Sequence, residues 1–338
     1  MSESLLVAAR SGDGAAFREL VEPHRAALHL HCYRMLGSYH DAEEAMQEVL
    51  LRAWRHLDGY RGQAPLLHWL YRIATTSSLK IIEARARRPG TIAEIDYLEP
   101  YPDRLLDALP ADSDPAAAVE RRESVSLAFI AALQLLPATQ RAVVILRDVL
   151  AWRAEEVAVL LESTVPAVNS ALQRARSTLR DALPGGRRRP LDAEDRRVLA
   201  RFVDAWHRRD ISGLAALLRE DVELRMPPEE GLEFRGRAAV LEFFATVPAD
   251  GALDRIPLVP TRANGQPAVA AYMADDTGEL AYYGVMVFAV EGGRIATITG
   301  FPAQWSPRLE AALGVRPDPQ ATARHHGSGA GTSSTSRS

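Results

Sequence analysis

The sequence predicts a multidomain chain: two all-α modules, the second a helix-turn-helix, followed by an α+β module. Three observations carry this expectation. Apolar residues recur at helical spacing through the first half, strand-like runs appear only after residue 265, and two breaker stretches, 90–118 and 185–193, divide the chain. At 338 residues, the length also exceeds what one average core organises.

Composition narrows the function classes. With 47% hydrophobic and 25% charged residues the chain is globular. No apolar run approaches the roughly 18–20 residues that span a bilayer, and residues 1–18 lack the apolar core of a signal peptide, so the expectation is a cytoplasmic protein with no membrane contact. The single cysteine, Cys32, excludes a disulfide within the chain and a cysteine-cluster metal site; no metal or cofactor is expected. Charge is uneven. Residues 1–90 hold 12 basic and 10 acidic side chains (+2), 91–118 hold 1 and 7 (−6), 119–190 hold 11 and 7 (+4), and 191–338 hold 16 and 20 (−4). Two mildly basic modules thus flank an acidic tether, with an acidic module behind them.

Asp13 is placed to cap a helix through "AAFRELV" that breaks near Pro23 and resumes as "AALHLHCYRML" up to Gly37. Asp41 and Glu44 form a capping-box-like start for the next helix, whose buried stripe is Ala42, Ala45, Met46, Val49, Leu50, Ala53, Trp54 and Leu57. Its opposite face carries Asp41, Glu44, Glu48 and Arg55 around an exposed Leu51, which suits either a partner protein or plain solvation. "HWLYRIATTSSLKIIEARARRP" (68–89) reads as a helix stopped by Pro89, with Leu70, Ile73, Ala74, Ser77 and Ile81 on its core face. A second row, Trp69, Arg72, Thr76, Lys80 and Arg87, is not required by packing; it is either a solvated face or a binding surface. Tyr71 also falls off the core stripe.

Residues 90–118 are acidic and proline-rich and read as a linker with one short helix at "DRLLDAL". Helical patterns then return, and "AEEVAVLLESTVPAVNSALQRAR" has the layout of a helix-turn-helix capped by Ser163 or Thr164. Val168, Leu172, Ala175 and Leu179 form its buried row. Exposed are Pro166, Ala167, Asn169, Ser170, Gln173, Arg174, Arg176 and Arg180, a set able to read base edges and pair with phosphates, or else the solvated face of an ordinary helical hairpin. After "PGGRRRP", helix signals in "EDRRVLARFVDAWHRRD" and "GRAAVLEFFATV" precede strand-like "PAVAAYM", "LAYYGVMVFAV" and "RIATITGF", the last two joined through "EGGR". The segment 308–338 is low in complexity and is expected to be largely disordered.

Taken in order, "GSYHDAEEAMQEVLLRAWR", "YRGQAPLLHWLYRIATTSSLK" and "LPATQRAVVILRDVLAWRAEEVAVLLESTVPAVNSALQRARSTL" closely resemble the extracytoplasmic-function sigma factors of bacterial RNA polymerase over residues 5–184. The resemblance implies sigma domain two at 1–89, a linker at 90–118 and sigma domain four at 119–184. It implies core RNA polymerase and promoter DNA as partners, no catalysis by the chain itself, docking of Asp41, Glu44, Gln47, Glu48 and Leu51 on the β′ clamp coiled coil, and a further contact with the β flap. The melted promoter strand would meet Tyr60, Arg61, Gln63, Trp69, Tyr71, Arg72, Thr76 and Lys80. Aromatic rings beside cations supply stacking worth about 1–3 kcal/mol per base. The upstream element would meet Thr164, Ala167, Asn169, Ser170, Gln173, Arg174 and Arg176. Two departures stand out: Thr76 and Lys80 replace the family's Asn and Asp, and Glu162 stands where such turns often place Gly. Promoter elements two duplex turns apart lie roughly 70 Å from each other, within the reach of about 90–100 Å of 28 extended residues. The linker charge suits mimicry of RNA or simple solubility.

Residues 194–307 resemble the SnoaL-like branch of the NTF2-like cones, on their opening helix, "MPPEEGLEFRGRAAVLEFF" and the final hairpin. Asp204, His207, Asp221 and Arg225 are the acid/base types available there, and none matches a catalytic motif. The expectation is a module that regulates the sigma domains by intramolecular contact, with 185–193 as its tether. Two competing readings are a SnoaL-like enzyme fused to a helical DNA-binding region, and a helix-turn-helix repressor that needs no polymerase.

Overall fold

Asp13 starts the helix around which the first unit is built. In the computed structural model, whose described residues are 3–87, 98–109, 123–183, 193–227, 232–275 and 277–317, α1 spans Glu3–Arg10 and α2 spans Gly14–Leu36. The Asp13 carboxylate accepts from the amides of Ala15 and Ala16 at 2.8 and 3.2 Å, and Gly37 ends α2 at φ 75°. The expected break at Pro23 does not occur. Proline costs one backbone bond there, but Leu20, Val21 and Leu28 on either side are buried, and this packing keeps the helix continuous.

Helix α3 (Tyr39–Arg55) is capped by Ser38, whose hydroxyl accepts from Asp41 N at 3.2 Å. Asp41 is therefore not the cap; it lies in the first turn, 6% exposed, and pairs with Arg85 of α4 (Leu66–Ala86). Helix α4 begins just after Pro65, and its expected stop at Pro89 lies outside the described residues. Its buried face, Leu66, Leu70, Tyr71, Ala74, Thr75, Ser77, Ser78 and Ile82, is rotated from the expected stripe toward Tyr71, and Ile73 and Ile81 are only half-buried.

The stretch expected to be a free linker is partly built into this domain. Residues 98–103 are buried, and α5 (Asp103–Asp107) forms where a short helix was expected. Glu99 N donates to Gly37 O at 3.0 Å, Tyr33 Oη donates to Glu99 O at 2.9 Å, and the Glu99 carboxylate accepts from Ser38 Oγ at 2.5 Å and His40 N at 2.8 Å. Tyr101, fully buried, hydrogen-bonds His29 Nδ1 at 2.9 Å, and His29 Nε2 lies 2.9 Å from Glu43 Oε1 of α3. The remainder of the expected linker, 90–97 and 110–118, lies outside the described residues.

The second helical domain comprises α6 (Leu127–Gln134), α7 (Ala138–Val144) continued by a π-helical turn Ile145–Val149, α8 (Ala154–Leu160) and α9 (Val165–Ala182). It packs directly on α2 and α4. Arg141, 1% exposed, donates to Met35 O of α2 at 2.6 Å as well as to Leu133 O and Leu136 O of its own domain. Arg34 reaches Ser124 O and Oγ at 3.2 and 2.6 Å. Two buried guanidinium groups, Arg141 on Met35 O and Arg34 on Ser124, thus stitch the two helical domains together.

The second unit, Leu191–Ser338, is α+β as expected. Helices α10 (Ala193–His207), α11 (Ile211–Leu217) and α12 (Arg237–Thr246) accompany β1 (Leu218–Arg225), β2 (Glu233–Arg235), β3 (Leu258–Ala263), β4 (Gln266–Ala274), β5 (Leu280–Glu291) and β6 (Arg294–Pro302), before α13 (Leu309–Leu313). The sheet order is β2-β1-β6-β5-β4-β3, with β1 parallel to β6 and the other neighbours antiparallel. Phe202, Trp206, Phe244 and Phe288 fill the core, with Phe202 and Phe288 at 4.8 Å and Trp206 and Phe244 at 5.3 Å between centroids. Helix α13 and Val315, whose carbonyl accepts from Tyr272 Oη, show order beyond residue 308; the rest of the expected tail, from 318, and the tether 185–192 lie outside the described residues.

Candidate nucleic-acid interface

Thr164 caps α9, its Oγ1 accepting from Ala167 N at 3.3 Å. The helix buries Val168, Ala171, Leu172 and Ala175, so Thr164, Ala167, Asn169, Ser170, Gln173, Arg174 and Arg176 all face solvent. Glu162 keeps the tight turn by taking φ 49°, and Ala151 before α8 takes φ 55°. The turn is therefore not looser for lacking glycine; it holds the left-handed geometry at a backbone cost of about 1–2 kcal/mol for a residue with a Cβ. Arg176 is not free on this face. Its Nε and Nη2 donate to both carboxylate oxygens of Asp148 at 2.9 and 2.6 Å, and this hydrogen bonding, then the charge of Asp148, holds the guanidinium above its ordinary pKa.

On the first domain the expected strand-binding residues divide into two groups. Arg61, Gln63, Arg72 and Lys80 are exposed, and Trp69 and Thr76 half-buried. Tyr60 and Tyr71 are buried, at 4% and 7% exposure. Tyr60 Oη donates to Ala64 O at 2.8 Å, which ties the loop before α4, and its ring lies 5.5 Å from that of Trp69. Tyr71 sits over His31, ring centroids 5.1 Å apart. Thr75 Oγ1 donates to Tyr71 O at 2.8 Å, so His31 Nε2 carries a proton and donates to Thr75 at 2.9 Å; burial, then Arg34, pulls His31 down to about 3. The sequence reading passed over His68, half-buried beside Trp69, whose ring stacks on Trp152 of the helix-turn-helix domain at 4.6 Å and 17°. Its only sequence signal is a planar ring in the first turn of α4.

On α3, Glu44, Gln47 and Leu51 are exposed, Leu51 by 50%, and Glu48 is half-buried and paired with Arg52. Asp41 is withdrawn from this face into the pair with Arg85, because the true cap, Ser38, sets the helix one turn earlier than expected.

In the second unit the four acid/base candidates do not converge. Asp204 pairs with Arg208, Asp221 with Arg219 and Arg225 with Glu223, all on exposed surface. His207 Nε2 accepts from Leu258 N at 3.0 Å, a bond that fixes α10 to the start of β3.

Comparison with known proteins agrees with this division. The Sigma-70 region 2 model matches residues 20–88, the Sigma-70 region 4 model 126–179, and the SnoaL-like domain model 199–298. The chain is 43% identical over 283 residues to the ECF RNA polymerase sigma factor SigG of Mycobacterium tuberculosis, covering 78% of this chain and 74% of that protein. It is 29% identical over 180 residues to the ECF RNA polymerase sigma factor SigW of Bacillus subtilis, covering 52% of this chain and 92% of SigW. The crystal structure of the Mycobacterium tuberculosis extracytoplasmic function sigma factor SigJ shares its fold, with a TM-score of 0.59 at 23% identity over 86% of this chain and 99% of that one. Sigma factors bind core RNA polymerase and promoter DNA, and the enzyme reading of the chain gives way to that role. The chain belongs to the extracytoplasmic-function sigma factors, non-catalytic subunits that direct RNA polymerase to specific promoters, and it carries a SnoaL-like domain behind the sigma domains.

Proposed function

We propose that α9 reads the upstream promoter element, that α4 and the loop before it receive the melted non-template strand, and that the exposed face of α3 docks on the β′ clamp coiled coil, with the helix-turn-helix domain making a second contact at the β flap. The observation that carries this reading is the face of α9: five polar or small residues and two arginines, exposed opposite a buried row of Val168, Ala171, Leu172 and Ala175. Such a face reads DNA through Asn169, Gln173 and Arg174, and Arg176 joins once Asp148 releases it. On α4, Trp69 beside Arg72 and Lys80 offers a ring and cations to an unpaired strand. On α3, Glu44, Gln47, Glu48 and Leu51 remain for the polymerase; Asp41 acts by holding α3 to α4. The SnoaL-like module regulates this activity, its charge of −4 tethered to a module of +4 through "PGGRRRP". A chain that works on polymerase and chromosomal promoters works in the cytoplasm.

Reconstituted transcription with core polymerase tests the whole reading, and Trp69→Ala tests its melting step. The variant is expected to bind polymerase and promoter normally, yet to lower permanganate reactivity of promoter thymines. Equal reactivity at equal occupancy returns Trp69 to a surface role.

A further inference from the structure

Trp152 lies between the π-helical turn and α8, in the helix-turn-helix domain, and is 4% exposed. Its indole covers α4 of the other helical domain: nearly parallel to His68, at 4.6 Å and 17°, and edge-on to Tyr71, at 6.2 Å and 83°. His31 also packs on Tyr71, edge-on with ring centroids 5.1 Å apart, and is itself fixed through Thr75. The first turns of α4 thus present two rings that already hold one planar aromatic group. Arg72 stands one helical turn from His68, and the exposed loop 61–64 adjoins it. An indole and a nucleobase are alike in flatness, size and π-face, so a slot that takes one suits the other.

We infer that His68 and Tyr71 form a stacking platform for an unpaired nucleobase of the promoter strand, and that Trp152 occupies it as an intramolecular stand-in while the two helical domains are packed together. The inference rests on the reading of α4 as the strand-receiving helix. Its physical basis is competition. A tethered ring acts at an effective concentration near the millimolar range, so free single strand meets a platform already filled. Domains stitched by Arg141 to Met35 and by Arg34 to Ser124 cannot reach promoter elements roughly 70 Å apart. The separation that carries α9 to its upstream site therefore also withdraws Trp152 from His68. Promoter engagement and exposure of the melting surface become one event, and strand capture away from a promoter is suppressed.

The test measures fluorescence anisotropy of a labelled, mixed-sequence single-stranded DNA oligonucleotide with the full chain. Trp152→Leu keeps an apolar side chain at this buried position but removes the ring, and is expected to bind roughly tenfold tighter than the unaltered chain. Adding His68→Ala in that background is expected to abolish the gain. Unchanged or weaker binding by Trp152→Leu overturns the inference. A second measurement keeps Trp152 intact: His68→Ala with core polymerase should lower permanganate reactivity at equal promoter occupancy, and equal reactivity overturns the platform. The two readings separate cleanly. If Trp69→Ala and Arg72→Ala also leave oligonucleotide binding unchanged, α4 does not receive the strand; if those two weaken binding while Trp152→Leu and His68→Ala do nothing, α4 receives it without this platform.

Discussion

Arg176, on the exposed face of α9, is held in a two-pronged bond by Asp148 of the π-helical turn, at 2.9 and 2.6 Å. Both partners are solvent-accessible, the arginine side chain by 56% and the aspartate by 30%, so the pair is worth at most about 1 kcal/mol and DNA can compete for the guanidinium. Asp148 also places a negative charge near the phosphates that α9 would approach. Asp148→Asn is therefore expected to strengthen promoter binding by roughly 2- to 10-fold and to steepen the salt dependence by about one unit of slope as Arg176 becomes available. Arg176→Ala should cancel the gain. A salt titration of promoter occupancy decides: no change for Asp148→Asn means that Arg176 stays on its partner or away from the DNA.

The linker anchor leads to a second expectation. Glu99 supplies acceptors to Ser38 Oγ and His40 N at the start of α3, sixty residues from its own place in the chain. Glu99→Ala leaves both donors without this carboxylate, at a cost of about 1–3 kcal/mol. The melting temperature should fall, and amides in the first turn of α3 should exchange faster than those of α9. Exchange that rises equally in both helices would mean that Glu99 supports the unit as a whole rather than this cap.

These two sites show why the fold was largely legible from sequence and the contacts less so. Periodicity finds the helices because each buries a stripe, and it located α3, α4 and α9. It cannot identify a partner sixty residues away, which is why Glu99 read as part of a solvated acidic tether and Asp41 as a cap. Propensity overstated Pro23, since burial of Leu20, Val21 and Leu28 outweighs one lost backbone bond. In the second unit β4, β5 and β6 were visible as apolar runs, whereas β1, "LREDVELR", has only Leu218, Val222 and Leu224 inward and reads as polar. The β3–β4 hairpin had a signal that was missed: Asn264-Gly265, with φ of 57° and 68°, is the dipeptide a tight primed turn requires. The exposed face of α9 followed from its buried row, but the bond from Arg176 to Asp148 crosses 28 residues and two helices, and no local pattern encodes it.

His31 gives stability a pH dependence of known sign. Burial lowers it from 6.5 to about 3, so between those values the unfolded chain binds a proton that the folded chain refuses, and stability falls as pH falls. Each pH unit inside the window costs up to about 1.4 kcal/mol from this residue. Below 3 the dependence from this residue flattens, and above 6.5 it vanishes. His31→Gln, although less stable near neutrality through lost packing on Tyr71, is expected to lose less further stability than the unaltered chain when denaturant midpoints are compared at pH 7 and pH 5. Parallel losses in both proteins would assign the acid sensitivity to other groups.

Removal of residues 191–338 tests the regulatory role of the SnoaL-like module. The cut falls at the boundary between the two compact units, and the sigma domains keep their own cores: Leu28, Met46 and Leu70 in one, Ile130, Leu146 and Val168 in the other. The shortened chain should therefore unfold cooperatively and retain polymerase binding. What should change is output. A module of net charge −4 tethered to one of +4 meets it at an effective concentration near the millimolar range, so a weak attraction suffices to bias the chain between resting and polymerase-engaged populations. Charge attraction between exposed groups is screened as the Debye length drops from about 10 Å at 0.1 M salt to about 3 Å at 1 M. The ratio of transcription by shortened and full chains should consequently approach one as salt is raised within the range the polymerase tolerates. A ratio that stays constant across salt would assign the regulation to apolar contact instead, and a ratio of one throughout would leave the module without a role in promoter output.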